Sequence, residues 1–265
     1  NLTHVTNRPN AKPLIINGDM AVDQRNAGAS VTAANNAYQV DRWKTFSGAA
    51  SKFTVQQQTS VVPPFFRNAQ KITSSSAYSA GAGEAFALNT PIEGGSIANL
   101  GFGTANAKYV TLSFLVYSSL TGTFSGSLFN SAFNRSYPFT YSVGSANTWT
   151  KIVVAIPGDT SGTWLTTTGT GLTVNFDIGS GSNWKGSANA WGAAAYTGVA
   201  SSVSIVGTSG ATFYVTGVQL EVGEYDATTI PPFQHESFGD SLKVILMKML
   251  LELYLVGTEE MLLFI

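Results

Sequence analysis

Leu172-Thr173-Val174-Asn175-Phe176-Asp177-Ile178 alternates apolar and polar side chains without a break. That is the period of a β-strand with one face toward a core and the other toward water. The same period recurs outward along the chain. Val110, Leu112, Phe114 and Val116 alternate with Thr111, Ser113 and Leu115, and Ile152, Val154 and Ile156 alternate after Trp149. Val203 with Ile205, Phe213 with Val215, and Val218 with Leu220 continue it. Between these runs lie Gly/Ser/Thr/Asn clusters at Ser118 to Gly126, Gly158 to Gly162, Thr166 to Gly171, Gly179 to Ser182 and Gly207 to Gly210. Such clusters break strands by supplying left-handed backbone and local side-chain hydrogen bonds. Many short strands punctuated this way predict an all-β fold, an antiparallel two-sheet β-sandwich of jelly-roll type. No stretch before residue 240 reads as a long helix, and no fixed-period repeat points to a solenoid or propeller.

Composition narrows the function. The chain has 265 residues, enough for one large β domain with a substantial core. Only 11% of residues are charged and the net charge is -1. There is therefore no basic field to gather nucleic acid. Cysteine is absent, which excludes disulfides, thiolate metal sites and cysteine nucleophiles. Asn1-Leu2-Thr3-His4 has no basic segment leading into an apolar one, so no secretory signal is expected here. The apolar run Val244 to Val256 is interrupted by Lys248 and Glu252 and falls short of the roughly 20 residues that span a bilayer. Membrane insertion is not expected.

Two end segments frame the β region. The first is Pro13-Leu14-Ile15-Ile16-Asn17-Gly18-Asp19-Met20-Ala21-Val22-Asp23-Gln24-Arg25-Asn26, followed by Val40-Asp41-Arg42-Trp43. The second is Phe213-Tyr214-Val215-Thr216-Gly217-Val218-Gln219-Leu220-Glu221-Val222-Gly223, followed by Pro231-Pro232-Phe233. They are expected to pair as strands at the start and end of one domain. Taken in order, the pattern I-N-G-x-M-x-V-x-Q-R, D-R-W, G-V-Q-L-E and P-F-x-x-x-S-F-G resembles tailed-phage virion proteins of the tail-fibre, tail-associated and head-fibre kinds, whose domain is similar to a carbohydrate-binding-module jelly roll. The resemblance implies a place in a virus particle made in the host cytoplasm, other virion proteins as partners, and a homo-oligomer, by analogy with phage fibres a trimer. Its motifs sit at the two ends, so it implies no defined ligand.

Candidate site residues follow from chemistry. Asp41, Arg42 and Trp43 read as a sheet corner with Trp43 anchoring the core, the alternative being a sugar platform. Gln219 and Leu220 join them as structural residues. Asn17, Asp19 and Glu221 resemble in position the residues that hold a structural Ca²⁺ in carbohydrate-binding jelly rolls, and hard oxygen ligands suit that ion. Asn-Gly-Asp is equally a good turn. No other cofactor is expected. Trp164, Trp184, Trp191 and Tyr196 lie in Gly/Ser/Asn-rich surroundings beside Asn183 and Lys185. Flat rings can stack on the apolar faces of sugars while amide and ammonium groups bond hydroxyls, giving a glycan site. Alternatively, these rings cap the core or pack on a neighbouring subunit.

Catalysis has little to stand on. His4 and His235 are the only histidines, and no G-x-S-x-G, H-E-x-x-H or phosphate-loop run accompanies them. The chain is expected to be a non-enzymatic structural protein of a phage tail fibre or tail tip that contributes to attachment to host-surface glycan. A capsid decoration or head-fibre protein is the alternative, and a polysaccharide-degrading enzyme the third reading, since glycoside hydrolysis needs only two carboxylates.

The organisation expected is an arm over residues 1–12, the β-sandwich over 13–235 and an apolar helical tail over 236–265. As a helix the tail would be apolar nearly all round, which calls for burial against copies or partners. Met247-Lys248-Met249 must be encoded ATG-AAR-ATG, and reading one base earlier gives one of Tyr, His, Asn or Asp, then Glu, then Asn or Asp. That is compatible with a slipped frame relative to the phage pattern, and the nucleotide sequence decides it.

Overall fold

The computed structural model describes residues 13–235 together with Leu246 and Met247, which are helical. The predicted arm and the rest of the predicted tail lie outside the described residues. Among the described residues, twelve strands form two six-stranded sheets, with every strand pairing antiparallel. The first sheet runs in the order β1 (Val31–Thr32), β4 (Phe53–Gln58), β5 (Ala69–Ser74), β12 (Thr212–Val222), β7 (Val110–Ser118), β10 (Thr150–Ile156). The second runs β2 (Ala37–Val40), β3 (Trp43–Ser47), β6 (Phe86–Glu93), β11 (Thr170–Asp177), β8 (Gly122–Asn130), β9 (Ser136–Val143). This is the jelly-roll β-sandwich that the alternation predicts. Helix is confined among residues 13–235 to α1 (Gly94–Ile97) and two short 3-10 turns.

The facing sheets close on an aromatic core. Phe176 of β11 stacks on Trp43 of β3 with centroids 6.2 Å apart and meets Phe114 of β7 edge-on at 4.9 Å. Phe124 of β8 stacks on Phe213 of β12 at 6.1 Å. Rings of this size bury large apolar areas, and their edge-to-face contacts add to that burial.

The end segments meet, but not as paired strands. Residues 14–27 turn repeatedly, with Asn17 and Met20 both in left-handed backbone at φ 58°. Turning lets Ile15, Met20 and Val22 all point inward, each at most 3% exposed. β12 carries a bulge between Thr216 and Gln219, which frees one N–H from the ladder. That N–H, on Val218, donates to Gly18 O at 2.9 Å. Only glycine fits there, because a Cβ on Gly18 would lie 2.1 Å from Val218 O.

Two other local expectations fail. Gly122 to Gly126 belongs to β8, where pairing with β9 overrides its glycine and serine content. Val203 and Ile205 form no strand; Val203 N–H instead donates to Thr123 O in a loop.

Tyr141 of β9 faces the core, 5% exposed, and its hydroxyl has no protein partner. Burial first, and second the charge of Asp177 wherever its carboxylate is free, push this phenol well above its ordinary range. The folded chain thus keeps a proton that the unfolded chain releases above about pH 10, so stability falls as pH rises past that point. Tyr141→Phe is expected to add about 1 kcal/mol at neutral pH by removing an unpaired buried hydroxyl and to flatten the alkaline decline. Urea unfolding of both proteins at neutral and alkaline pH checks this; parallel declines would show that Tyr141 is not responsible.

Candidate functional site

Thr173, Asn175 and Asp177 of β11 face away from the core, where the alternation predicts water. They are instead 5%, 0% and 1% exposed. The reason is a long connection, residues 178–206, that lies over the outer face of the second sheet. Asn175 Nδ2 donates to Thr197 O at 2.9 Å. Gly192 exchanges backbone hydrogen bonds with Ser136 on the edge strand, and Asn189 N–H donates to Pro138 O. The connection approaches so closely at Gly198 that a Cβ there would stand 2.2 Å from Ser125 Oγ and 2.8 Å from Asp177 Oδ2. Beneath it, Asn89, Asn175 and Ser127 form one cross-strand row. Asn89 Nδ2, Asn175 Oδ1 and Ser127 Oγ in that row are buried without a protein partner.

This connection carries an open cleft of about 400 Å³, lined by Lys185, Ser187, Ala190, Trp191 and Tyr196 with the backbone of Gly186 and Gly192. Trp191 is half-buried. Its indole N–H donates to Pro157 O at 2.8 Å, and its ring is held edge-on by Trp164 at 5.5 Å and Phe102 at 5.8 Å. Tyr196 packs its ring against Gly186, where a Cβ would lie 2.3 Å away, and its N–H donates to Ser136 Oγ at 3.0 Å. Both rings are thus fixed before any ligand arrives.

Of the six residues predicted for a glycan site, Lys185, Trp191 and Tyr196 come together here. The other three do not. Trp164 is 6% exposed, edge-on to Phe102 at 4.9 Å, and donates to Ser161 O. It supports Trp191 from below and offers no face to a ligand, because the Gly/Ser/Thr-rich loop around it folds inward. Asn183 and Trp184 sit in a 3-10 turn away from the cleft lining; Asn183 N–H donates to Ala82 O and Trp184 Nε1 to Gly83 O. Lys185 lines the cleft, while its Nζ bonds Asp177.

The calcium set does not fit the ion. Asn17 is fully buried and its amide is spent on its own chain: Nδ2 donates to Val22 O at 2.9 Å and Asp41 O at 2.8 Å, and Oδ1 accepts from Val22 N–H at 2.9 Å. Asp19 follows on the same turn and Glu221 lies on β12, and no group of three or more His, Asp or Glu side chains suited to a metal exists among the described residues. Asn17 is a staple for the N-terminal turns.

The remaining structural residues are placed as follows. Asp41 and Arg42 form the two-residue loop between β2 and β3, with Arg42 at φ 72°. They pair not with each other but outward: Asp41 Oδ2 accepts from Gln24 N–H, and Arg42 bonds Glu93 at 2.6 Å and Pro91 O at 3.0 Å. Burial holds the Asp41 carboxyl above its ordinary range, opposed by the Gln24 N–H and by Arg25. Trp43 is fully buried. Gln219 donates to Pro231 O at 2.7 Å, and Leu220 is in the core.

Three rings escape sequence reasoning. Phe46 of β3, Phe129 of β8 and Phe133 in the next turn cluster on this same outer face, with centroids 6.3, 6.5 and 5.3 Å apart. Phe46 and Phe129 stand on strands three places apart in the sheet, so their rings meet across β6 and β11. Phe133 is 49% exposed. The signal was present: with Trp43 pointing inward, period 2 places Phe46 outward.

No family model matches the chain, and no curated protein matches its sequence. Solved structures do resemble it. The enzymatically active domain of tailspike protein 4 from bacteriophage CBA120 matches at 10% identity over 79% of this chain, with a TM-score of 0.42. This chain spans 21% of that one. The family 11 carbohydrate-binding module from Clostridium thermocellum, in complex with a β-1,3-1,4-mixed-linked tetrasaccharide, matches at 12% identity over 74% of this chain and 98% of its own, with a TM-score of 0.36. The N-terminal CBM22-1–CBM22-2 tandem domain of Paenibacillus barcinonensis Xyn10C matches at 15% identity over 76% and 51% of the two chains, with a TM-score of 0.40.

Proposed function

We propose that this chain is a non-enzymatic saccharide-binding module of a tailed-phage particle, and that the cleft beside Trp191 and Tyr196 takes sugars of a host-surface glycan. The observation that carries the reading is the convergence of two pre-positioned, half-buried rings on one cleft of about 400 Å³. Concave sites of this size, mixing aromatic walls with a few polar groups, suit small ligands. Sugar C–H faces stack on the rings, and Ser187 with the glycine backbone meets the hydroxyls. The place in the particle rests on the resemblance of the end motifs to phage virion proteins. A tail fibre or tail tip is the leading position, a head decoration the second, and copies per particle separate them: tens for a fibre, hundreds for the shell. Weak single-site contacts gain strength when copies are linked, as in a homotrimer.

The test is a panel of host-surface polysaccharides and their fragments, offered to the wild type, Trp191→Ala, Tyr196→Ala and, as a control packed against the other sheet, Trp149→Ala. Loss of an aromatic anchor is expected to weaken binding at least about tenfold, with Trp149→Ala unchanged. No retained saccharide, or equal binding by Trp191→Ala, would refute the cleft. Release of reducing sugar would move the chain to the enzyme reading.

A further inference from the structure

Under the 178–206 connection, Asp177 is buried more completely than any ordinary surface ion pair. Its side chain is 0% exposed, and that of its partner Lys185 is 11% exposed. The two residues stand at either end of one short stretch, Asp177 closing β11 and Lys185 following the 3-10 turn. Both carboxylate oxygens are engaged by the fold itself. Oδ1 accepts from the backbone N–H groups of Ser180 at 2.9 Å and Gly179 at 3.3 Å. Oδ2 meets Lys185 Nζ, Ser202 Oγ at 3.2 Å and Ser125 Oγ at 3.3 Å. Lys185 Nζ has a second contact, to Ser202 Oγ at 3.4 Å.

We propose that this pair condenses to an intramolecular amide, linking Lys185 Nζ to Asp177 Cγ. The two carboxylate oxygens have different surroundings, and the difference is the one acyl transfer needs. Two backbone N–H groups converge on Oδ1, as donors do where charge develops on an oxygen during addition to a carbonyl carbon. Oδ2 lies between the amine and two hydroxyls, a chain along which protons can pass. Proton transfer within the pair gives a neutral amine and a neutral carboxylic acid. The Nζ lone pair then forms the bond to Cγ, and negative charge collects on Oδ1 against Gly179 and Ser180. As the C=O reforms, the Cγ–Oδ2 bond breaks and a proton from nitrogen passes to the departing oxygen through Ser202 or Ser125. One amine and one acid become one amide and one water, with no oxidant or cofactor consumed. Holding both groups together in a water-poor site favours condensation over the bimolecular reaction.

The product would fix the connection that carries the cleft to the central strand of the sheet beneath it. It does not depend on saccharide binding.

Intact mass of the purified full chain, fully denatured, tests this. The wild type is expected to weigh one water less than its sequence, whereas Lys185→Arg and Asp177→Ala carry the full mass of theirs. Trypsin digestion after denaturation supplies a second readout. The unlinked chain yields separate peptides 152–185 and 186–243, whereas the amide abolishes cleavage after Lys185 and leaves 152–243 joined. A wild-type mass equal to that of the sequence, with normal cleavage at Lys185, overturns the proposal even if the substituted proteins do not fold.

Discussion

Trp43→Ala is expected to lower the free energy of unfolding by about 3–5 kcal/mol, the range for deleting a fully buried large aromatic side chain. Trp43 is 0% exposed, stacks on Phe176, and donates its indole N–H to Asn17 O at 3.0 Å. The substitution therefore opens a cavity between the sheets and strips the N-terminal turns of one of their ties. Those turns are held by the Asn17 amide, which bridges Val22 and Asp41, so the damage extends to the β2–β3 corner. Domains have only about 5–15 kcal/mol in hand, and this one replacement uses much of it. Trp43→Phe keeps the stack and loses the hydrogen bond, and should fall between the two. Urea unfolding measures all three; a loss below about 1 kcal/mol for Trp43→Ala would mean that the corner is not a core anchor.

Arg135→Ala should cost about the same, for an electrostatic reason. Arg135 forms a fork on Asp159, with Nε to Oδ2 and Nη2 to Oδ1 both at 2.6 Å, and the Asp159 side chain is 2% exposed. Removing the guanidinium strands a buried carboxylate, a change worth about 3–5 kcal/mol. Replacing both partners with apolar residues, as in Arg135→Met with Asp159→Leu, should cost much less than the two single changes summed, because no charge is left behind. The pair also supports the cleft. Asp159 Oδ1 accepts from Ser161 N–H, Ser161 O accepts from Trp164, and Pro157 O accepts from Trp191. Arg135→Ala should therefore weaken saccharide binding as well as stability. Full affinity in a folded Arg135→Ala protein would separate the loop from the site.

What the sequence reveals about the fold is its periodicity, and what it conceals is what lies over each face. The alternation at Leu172–Ile178 correctly marks a strand with Val174 and Phe176 inward, since period 2 is a property of the local backbone. Whether Asn175 and Asp177 meet water depends on residues 178–206 returning over them, a long-range event with no local signature. Gly122 to Gly126 reads as a turn because glycine and serine are poor strand formers, yet edge pairing with β9 outweighs intrinsic preference. The site divides along the same line. Trp191 and Tyr196 are legible as rings in a glycine-rich loop. Trp164 looks identical in sequence and is buried, because its loop is pinned inward by Asp159 and Arg135, the latter 24 residues earlier in the chain. Asn17 illustrates a further limit: an Asn-Gly-Asp run suits an ion or a turn equally, and only its hydrogen bonds to Val22 and Asp41 decide for the turn.

If saccharide is held at Trp191, the five tryptophan indole N–H resonances of ¹⁵N-labelled protein will report it. Each can be assigned by single Trp→Phe replacements and followed as an oligosaccharide from the panel is titrated in. The Trp191 signal is expected to move in a saturable way while those of Trp43 and Trp149 stay in place. A saturating ligand that leaves Trp191 unmoved, or that shifts Trp149 instead, would contradict it.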